Sequence, residues 1–290
     1  MQRRDAILFF IPGNPGITSY YTTFLTRLRA SCPGLDIIAS NHIGFDAGDI
    51  RKASDFIDLN AQIAHKVQLL DEISSNLTPD ERHRKVPVFV AGHSVGGYMA
   101  IKVLEARPDI VDRVYFLFPT VNNIAASPQG VMATAALKIP GLITLATLFA
   151  WLLCTVVPRS FKYAAVRWFT GFPEDAVRVT ADEVLTATGV HTALTLARSE
   201  MAEIGAPDAA FWEKYATRCS AYWATTDRWV SDTHRTVLLG IAKGLENYTC
   251  KAAPHAFCIR HGDLVADQVA KWLDRDVNGK IEAVEKKGTN

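Results

Sequence analysis

Ala6–Ile11 reads AILFFI, apolar at every position, and Val86–Ala91 (VPVFVA) and Val111–Phe118 (VDRVYFLF) are built much the same way. A strand with one wet face alternates polar and apolar residues. A strand apolar on consecutive residues is covered on both faces, which is the signature of a parallel sheet sandwiched between helices. Segments with helical spacing lie between these runs: Tyr20–Leu28, Ile57–Ile73 with its stripe of Ile57, Ile63, Val67, Leu70 and Ile73, and Val95–Leu104. Leu35–Ser40, Ser220–Ala224 and Tyr248–Ala252 read as further strands, and Leu264–Leu273 as a last helix. The alternation predicts an α/β fold with a mostly parallel sheet of about six strands. At 290 residues and 49% hydrophobic, the chain can bury one such core and still carry a cap of its own.

Between Phe118 and Ser220 the β–α alternation is lost, so residues 121–214 read as an inserted helical cap. Residues 1–120 and 215–275 then form the core, and 276–290 a polar, fraying tail. The 31 Lys and Arg balance 30 Asp and Glu, which gives no electrostatic reason to expect nucleic acid as a partner. Five scattered cysteines, none in a CxxC pair, argue against a disulfide scaffold or a zinc ribbon. The opening residues run at once into the first apolar stretch without a signal-peptide pattern, so the expectation is an intracellular, reduced protein.

The chemistry is announced by Gly92-His93-Ser94-Val95-Gly96, a G-x-S-x-G pentapeptide with an apolar strand before it and an amphipathic helix after it. On such a turn the serine is held with strained backbone angles that need small neighbours, and its Oγ projects above the strand ends. A serine hydroxyl needs a general base, and the base needs an orienting carboxylate. In α/β-hydrolases these follow in the order Ser, acid, His. Of the late histidines His191, His234, His255 and His261, His255 sits in a loop after the last strand and before the last helix, where the base belongs. Asp227, at the end of the Ser220–Ala224 strand, is the first choice for the acid; Asp232, at the start of the next helix, is the competitor and also fits a routine helix cap. The oxyanion needs main-chain N–H donors. Val95 supplies one at the helix start, and in Pro12-Gly13-Asn14-Pro15-Gly16 the prolines cannot donate, which leaves Asn14. No metal or organic cofactor is implied.

The chain resembles the lipid-droplet-associated hydrolases, a branch of the α/β-hydrolase superfamily. The resemblance rests on FFIPGNPG (Phe9–Gly16) with Tyr20-Tyr21 after it, DLNAQIAHK (Asp58–Lys66), GHSVGGY (Gly92–Tyr98), FPT with SPQG, TDRWV (Thr226–Val230) and PHAF (Pro254–Phe257). What it implies is a serine hydrolase cleaving a lipophilic ester, of the neutral-lipid or sterol-ester class, at a lipid droplet or endoplasmic reticulum surface. Family members carry more residues before the PGNPG strand, so the resemblance implies a sheet without its first strands. Two other readings stay open: an esterase or cyclase for a small hydrophobic natural product, and a lipid-surface binding protein with a vestigial triad. His65, within the DLNAQIAHK stretch, reads as structural.

Ile139–Val157 contains no charged residue over 19 positions, the length of a membrane span. A span here would put Ser94 and His255 on opposite sides of a bilayer. The run therefore reads as a lid packed over the site, or as an interfacial helix making peripheral contact with a droplet or membrane. Lys138, Arg159, Lys162 and Arg167 beside it, with Trp151 and Trp168, are interfacial features.

Overall fold

In the computed structural model residues 4–45 and 57–288 are described, with side chains through residue 280. The polar loop expected after Asn41-His42 falls largely on residues 46–56, outside the described residues.

The first half runs β1 (Ala6–Ile11), α1 (Thr22–Ser31), β2 (Leu35–Ala39), α2 (Leu59–Ser75), α3 (Pro79–Arg84), β3 (Val88–His93), α4 (Val95–Ala106) and β4 (Val111–Leu117). Six helices follow without a strand: α5 (Pro128–Leu137), α6 (Leu142–Val156), α7 (Arg159–Thr170), α8 (Glu174–Val179), α9 (Ala187–Glu203) and α10 (Ala209–Tyr215). The core then resumes with β5 (Cys219–Ala224), α11 (Asp232–Ile241), β6 (Glu246–Cys250) and α12 (Gly262–Gly288).

The strands form one sheet in the order β2-β1-β3-β4-β5-β6, and every pairing is parallel. Side chains alternate across it, as the two-residue period requires. Ile7, Phe9, Ile11, Val88 and Val90 share one face with Leu70, Met99 and Leu104 of α2 and α4. Ala6, Leu8, Phe10, Phe89 and Ala91 share the other with Phe24 and Leu28 of α1 and Val265, Val269 and Trp272 of α12. All six residues of β1 are buried, so its apolar run is explained by two covered faces rather than one. Each large side chain among them contributes about 1.5–3 kcal/mol by leaving water.

The chain leaves β1 in one direction to make β2, then returns to build β3 through β6 on the other side. The carboxyl ends of β1 and β3 are therefore a topological switch point, the crevice where α/β sheets place their ligands. β3 extends to His93, two residues beyond the apolar run, and carries the strand directly into the serine turn. α3 is too short for an apolar period to reveal; it forms on a capping box between Thr78 and Glu81, with Pro79 in its first turn. α12 continues past Asp274, where the sequence reads as a fraying tail, and stays helical to Gly288.

Within the cap, α6 packs along α9. Of its 15 residues only Ala150 is buried; Leu145, Leu148, Phe149, Trp151, Leu152 and Val156 are exposed. Phe161, Trp168 and Phe169 of α7 are exposed as well. Among the described residues no single helix is long and apolar enough to cross a membrane; α5 and α6 would pass together only as a pair bent by 86°.

Candidate active site

Ser94 sits between β3 and α4 with φ 53° and ψ −122°, a left-handed conformation that costs a non-glycine residue about 1–3 kcal/mol. The surroundings hold it there. Its N–H donates to the Leu117 carbonyl (3.1 Å), and its own carbonyl accepts from Gly97 and Thr120 (2.9 and 3.2 Å). At Gly96 a side chain is excluded outright, because a Cβ would stand 2.4 Å from the Ile11 carbonyl oxygen. This is the physical content of the G-x-S-x-G spacing: α4 starts hard against the end of β1.

Three loops converge on this turn. Ser94 Oγ lies 2.9 Å from His255 Nε2, and His255 Nδ1 lies 2.7 Å from Asp227 Oδ2. Because a carboxylate only accepts, Nδ1 carries the proton and Nε2 is left bare to accept from the serine hydroxyl. Asp227 is presented by the turn after β5. Its Oδ1 accepts from the Trp229 and Val230 amides (2.8 and 3.2 Å), which leaves Oδ2 for the histidine. Asp232, the competing acid, lies in the exposed first turn of α11 behind the Ser231 cap and is not the partner of His255. His234 lies on α11, and His261 immediately precedes α12.

The Pro12–Gly16 loop passes directly over the serine: a Cβ on Gly13 would stand 2.9 Å from Ser94 Cβ and 2.9 Å from His93 Nδ1. Asn14, the next residue, and Val95, the first residue of α4, thus flank Ser94 from two elements. The helix terminus brings unsatisfied N–H groups and a partial positive charge to the same place.

Beneath the site lies a hydrogen-bonded chain that sequence reasoning missed. His93 Nε2 is 2.9 Å from the His255 carbonyl, and His93 Nδ1 is 2.6 Å from Tyr21 Oη. A carbonyl only accepts, so Nε2 holds the proton, Tyr21 donates to Nδ1, and Tyr21 Oη accepts from the Gly13 N–H at 3.0 Å. The serine turn, the histidine loop and the Gly13 loop are thereby tied through two side chains. Burial holds the His93 pKa down to about 3, which keeps the ring neutral, and pushes the Tyr21 hydroxyl well above its ordinary value. Phe118, Phe257 and Tyr21 pack around the His93 ring. The signals were present, as the second residue of the pentapeptide and as the tyrosine pair after the PGNPG run.

The DLNAQIAHK stretch has a structural explanation. Asp58 caps α2; Gln62 exchanges hydrogen bonds with the backbone of Ile43; the buried Lys66 donates to the Asn41 carbonyl at 2.5 Å. Together they anchor the segment after β2. Among the described residues no three His, Cys, Asp or Glu side chains converge as metal ligands.

Comparison with known proteins gives the family and the fold. The family model for lipid-droplet associated hydrolases matches residues 4–258. Lipid droplet-associated hydrolases from Mus musculus and Homo sapiens are 25% and 24% identical to the chain; the alignments cover 92% and 96% of it, and 84% and 87% of those proteins. The Dictyostelium discoideum counterpart is 24% identical over 93% of the chain and 88% of its own length. Among solved structures, a peroxisomal α/β-hydrolase from Saccharomyces cerevisiae superposes with a TM-score of 0.69 at 14% identity, covering 95% of this chain and 78% of that one. The thioesterase domain from the curacin biosynthetic pathway gives 0.62 at 12% identity, with 92% and 91% covered. Likeness at that level establishes the α/β-hydrolase fold.

Proposed function

The chain belongs to the lipid-droplet-associated hydrolase family, and on that premise we propose that this hydrolase cleaves a lipophilic carboxylic ester through an acyl-enzyme on Ser94. The observation that carries the reading is the unbroken Ser94–His255–Asp227 hydrogen-bond chain at the switch point of the sheet.

In the proposed reaction Ser94 Oγ attacks the ester carbonyl while His255 Nε2 takes its proton. Asp227 holds the protonated ring in place and stabilises its charge. In this reading the main-chain N–H groups of Asn14 and Val95 bind the tetrahedral oxyanion, the donors such a hole needs in place before charge develops. His255 returns the proton to the leaving alcohol; it then deprotonates the water that frees the acid. The substrate class, neutral-lipid or sterol ester, is what the resemblance of the sequence motifs implies, and a place at the lipid droplet surface follows the names of the relatives. The exposed apolar face of α6 and α7 is what supports peripheral lipid contact through residues 139–157.

The test is labelling with a fluorophosphonate probe alongside turnover of p-nitrophenyl butyrate. Wild type is expected to react at Ser94 and to turn over the ester, and Ser94→Ala to do neither while keeping its fold. An unlabelled wild type, or a Ser94→Ala variant with undiminished turnover, rejects the assignment.

A further inference from the structure

Glu200 is a buried carboxyl that the chemistry above does not use. It lies on α9, inside the cap, with 4% of its surface exposed. Its Oε1 accepts from Asn14 Nδ2 at 2.8 Å, and the second hydrogen of that amide goes to the Ala193 carbonyl on the same helix at 3.0 Å. Both hydrogens of the Asn14 side-chain amide are thus taken by the cap, while its backbone belongs to the loop that passes over Ser94. On the other side the Gly13 N–H is bound by Tyr21, and the prolines at 12 and 15 fix φ at both ends of the loop.

We propose that Glu200 is a positioning residue: by gripping the Asn14 side chain it aims the Asn14 main-chain N–H at the developing oxyanion, which makes helix α9 of the cap a working part of the site. The inference rests on the serine-hydrolase reading above and deepens it. An oxyanion donor is useful only if its direction is set before charge develops, and a donor displaced by a fraction of a hydrogen-bond length loses most of its worth. The loop alone does not set that direction, since Gly13 offers no side chain to pack. Burial also pushes the Glu200 pKa up to about 7. Below that pH the carboxyl is neutral, accepts through its carbonyl oxygen and places no full negative charge beside the oxyanion; in either form it accepts from Asn14.

Glu200→Leu removes the acceptor at similar volume, Glu200→Gln keeps it, and Asn14→Ala releases the loop from the cap while leaving the main-chain donor in place. Each is measured for kcat and KM on p-nitrophenyl butyrate and for affinity toward an alkyl boronic acid, which forms a tetrahedral adduct with the serine. Glu200→Leu is expected to lower kcat about 10- to 100-fold, less than the roughly 10²–10³ lost when a donor is deleted outright. KM should stay within about two-fold, the pattern of an interaction made only in the transition state, and boronate affinity should fall with kcat. Glu200→Gln should restore most of the rate, and adding Glu200→Leu to Asn14→Ala should cost nothing more, because both break one contact. Wild-type kcat in Glu200→Leu, losses that multiply in the double variant, or a Gln variant as slow as Leu would each overturn the role. If Glu200→Leu does not fold, Asn14→Ala decides: kcat falls at unchanged KM, or the proposal is wrong. A wild type that fluorophosphonate does not label rejects the hydrolase reading itself; a labelled wild type with indifferent variants rejects only the role of Glu200.

Discussion

Replacing Glu200 by Gln should change how stability depends on pH, in a direction fixed by burial alone. In the fold the carboxyl titrates at about 7, against an ordinary value of 4.5. A group that keeps its proton longer in the fold than in the unfolded chain contributes stability that is complete below the unfolded value and is lost as pH rises toward the folded one. For Glu200 that window runs from 4.5 to about 7. At about 1.4 kcal/mol per pH unit, the loss across it amounts to about 3 kcal/mol. Glutamine has no proton to lose, so its curve lacks this decline. The wild-type curve alone does not reveal it, because His93 works against it. With its pKa held down to about 3, His93 makes stability rise with pH from there to 6.5, and the buried His42 acts in the same sense. The difference between the two proteins isolates the carboxyl. Urea unfolding of both, in steps from about pH 4 to pH 8, should show the variant gaining about 3 kcal/mol on wild type across the window and a constant gap outside it. Any fixed cost of the substitution shifts the whole difference curve and leaves its slope untouched. Parallel curves throughout would mean that Glu200 titrates as an ordinary carboxyl, and the argument from burial would fall.

Tyr21→Phe keeps the ring packing but leaves the Gly13 N–H and His93 Nδ1 without their partner; a loss of about 2–4 kcal/mol in denaturant unfolding is expected, together with reduced kcat, and a variant unchanged in both would remove the network from the account. Asp227→Asn should lower kcat by about 10⁴ through the wrong histidine tautomer, while Asp232→Asn stays near wild type; the reverse order in steady-state assays would move the acid to Asp232. Replacing Leu148, Trp151 and Leu152 by Ser should release the protein from triolein droplets coated with phosphatidylcholine and phosphatidylserine, because each apolar side chain transferred out of water contributes roughly 1.5–3 kcal/mol against about 1 kcal/mol for a Lys or Arg near an anionic surface. Release by high salt instead, with the triple variant still bound in a flotation assay, would assign the attachment to charge.

The sheet was legible because burial on both faces writes itself into consecutive residues: AILFFI could not be an edge strand or one face of an amphipathic helix. Leu35–Ala39 and Glu246–Cys250, the two edges, were harder to bound, since an edge strand is covered less and its sequence is mixed. The cap was legible only as a loss of alternation. Ile139–Val157 is apolar all round, so no periodicity says which side faces inward. Tertiary packing decides it, turning Ala150 toward α9 and leaving Leu148, Trp151 and Leu152 at 55%, 57% and 49% exposure. A lid packed inward over Ser94 through those three side chains is not what the fold adopts.

Within the site, the residues that meet at Ser94 were found because acyl-transfer chemistry prescribes their types and the sheet prescribes where they sit, at the carboxyl ends of β1, β3, β5 and β6. Glu200 had no such prescription. An isolated glutamate on a helix normally marks a solvated face. The discriminating signal was its spacing: Thr192, Leu196 and Glu200 recur every fourth residue, and all three are buried on one stripe of α9. A carboxyl on the inward stripe of a helix, with no cation among the described residues paired to it, has to be protonated or hydrogen-bonded to persist there. Here Asn14 supplies the hydrogen bond. The residue that pattern reading treats as surface is therefore the one through which the cap reaches the reaction centre, and a search for acids on buried helical stripes would have found it before any coordinates were available.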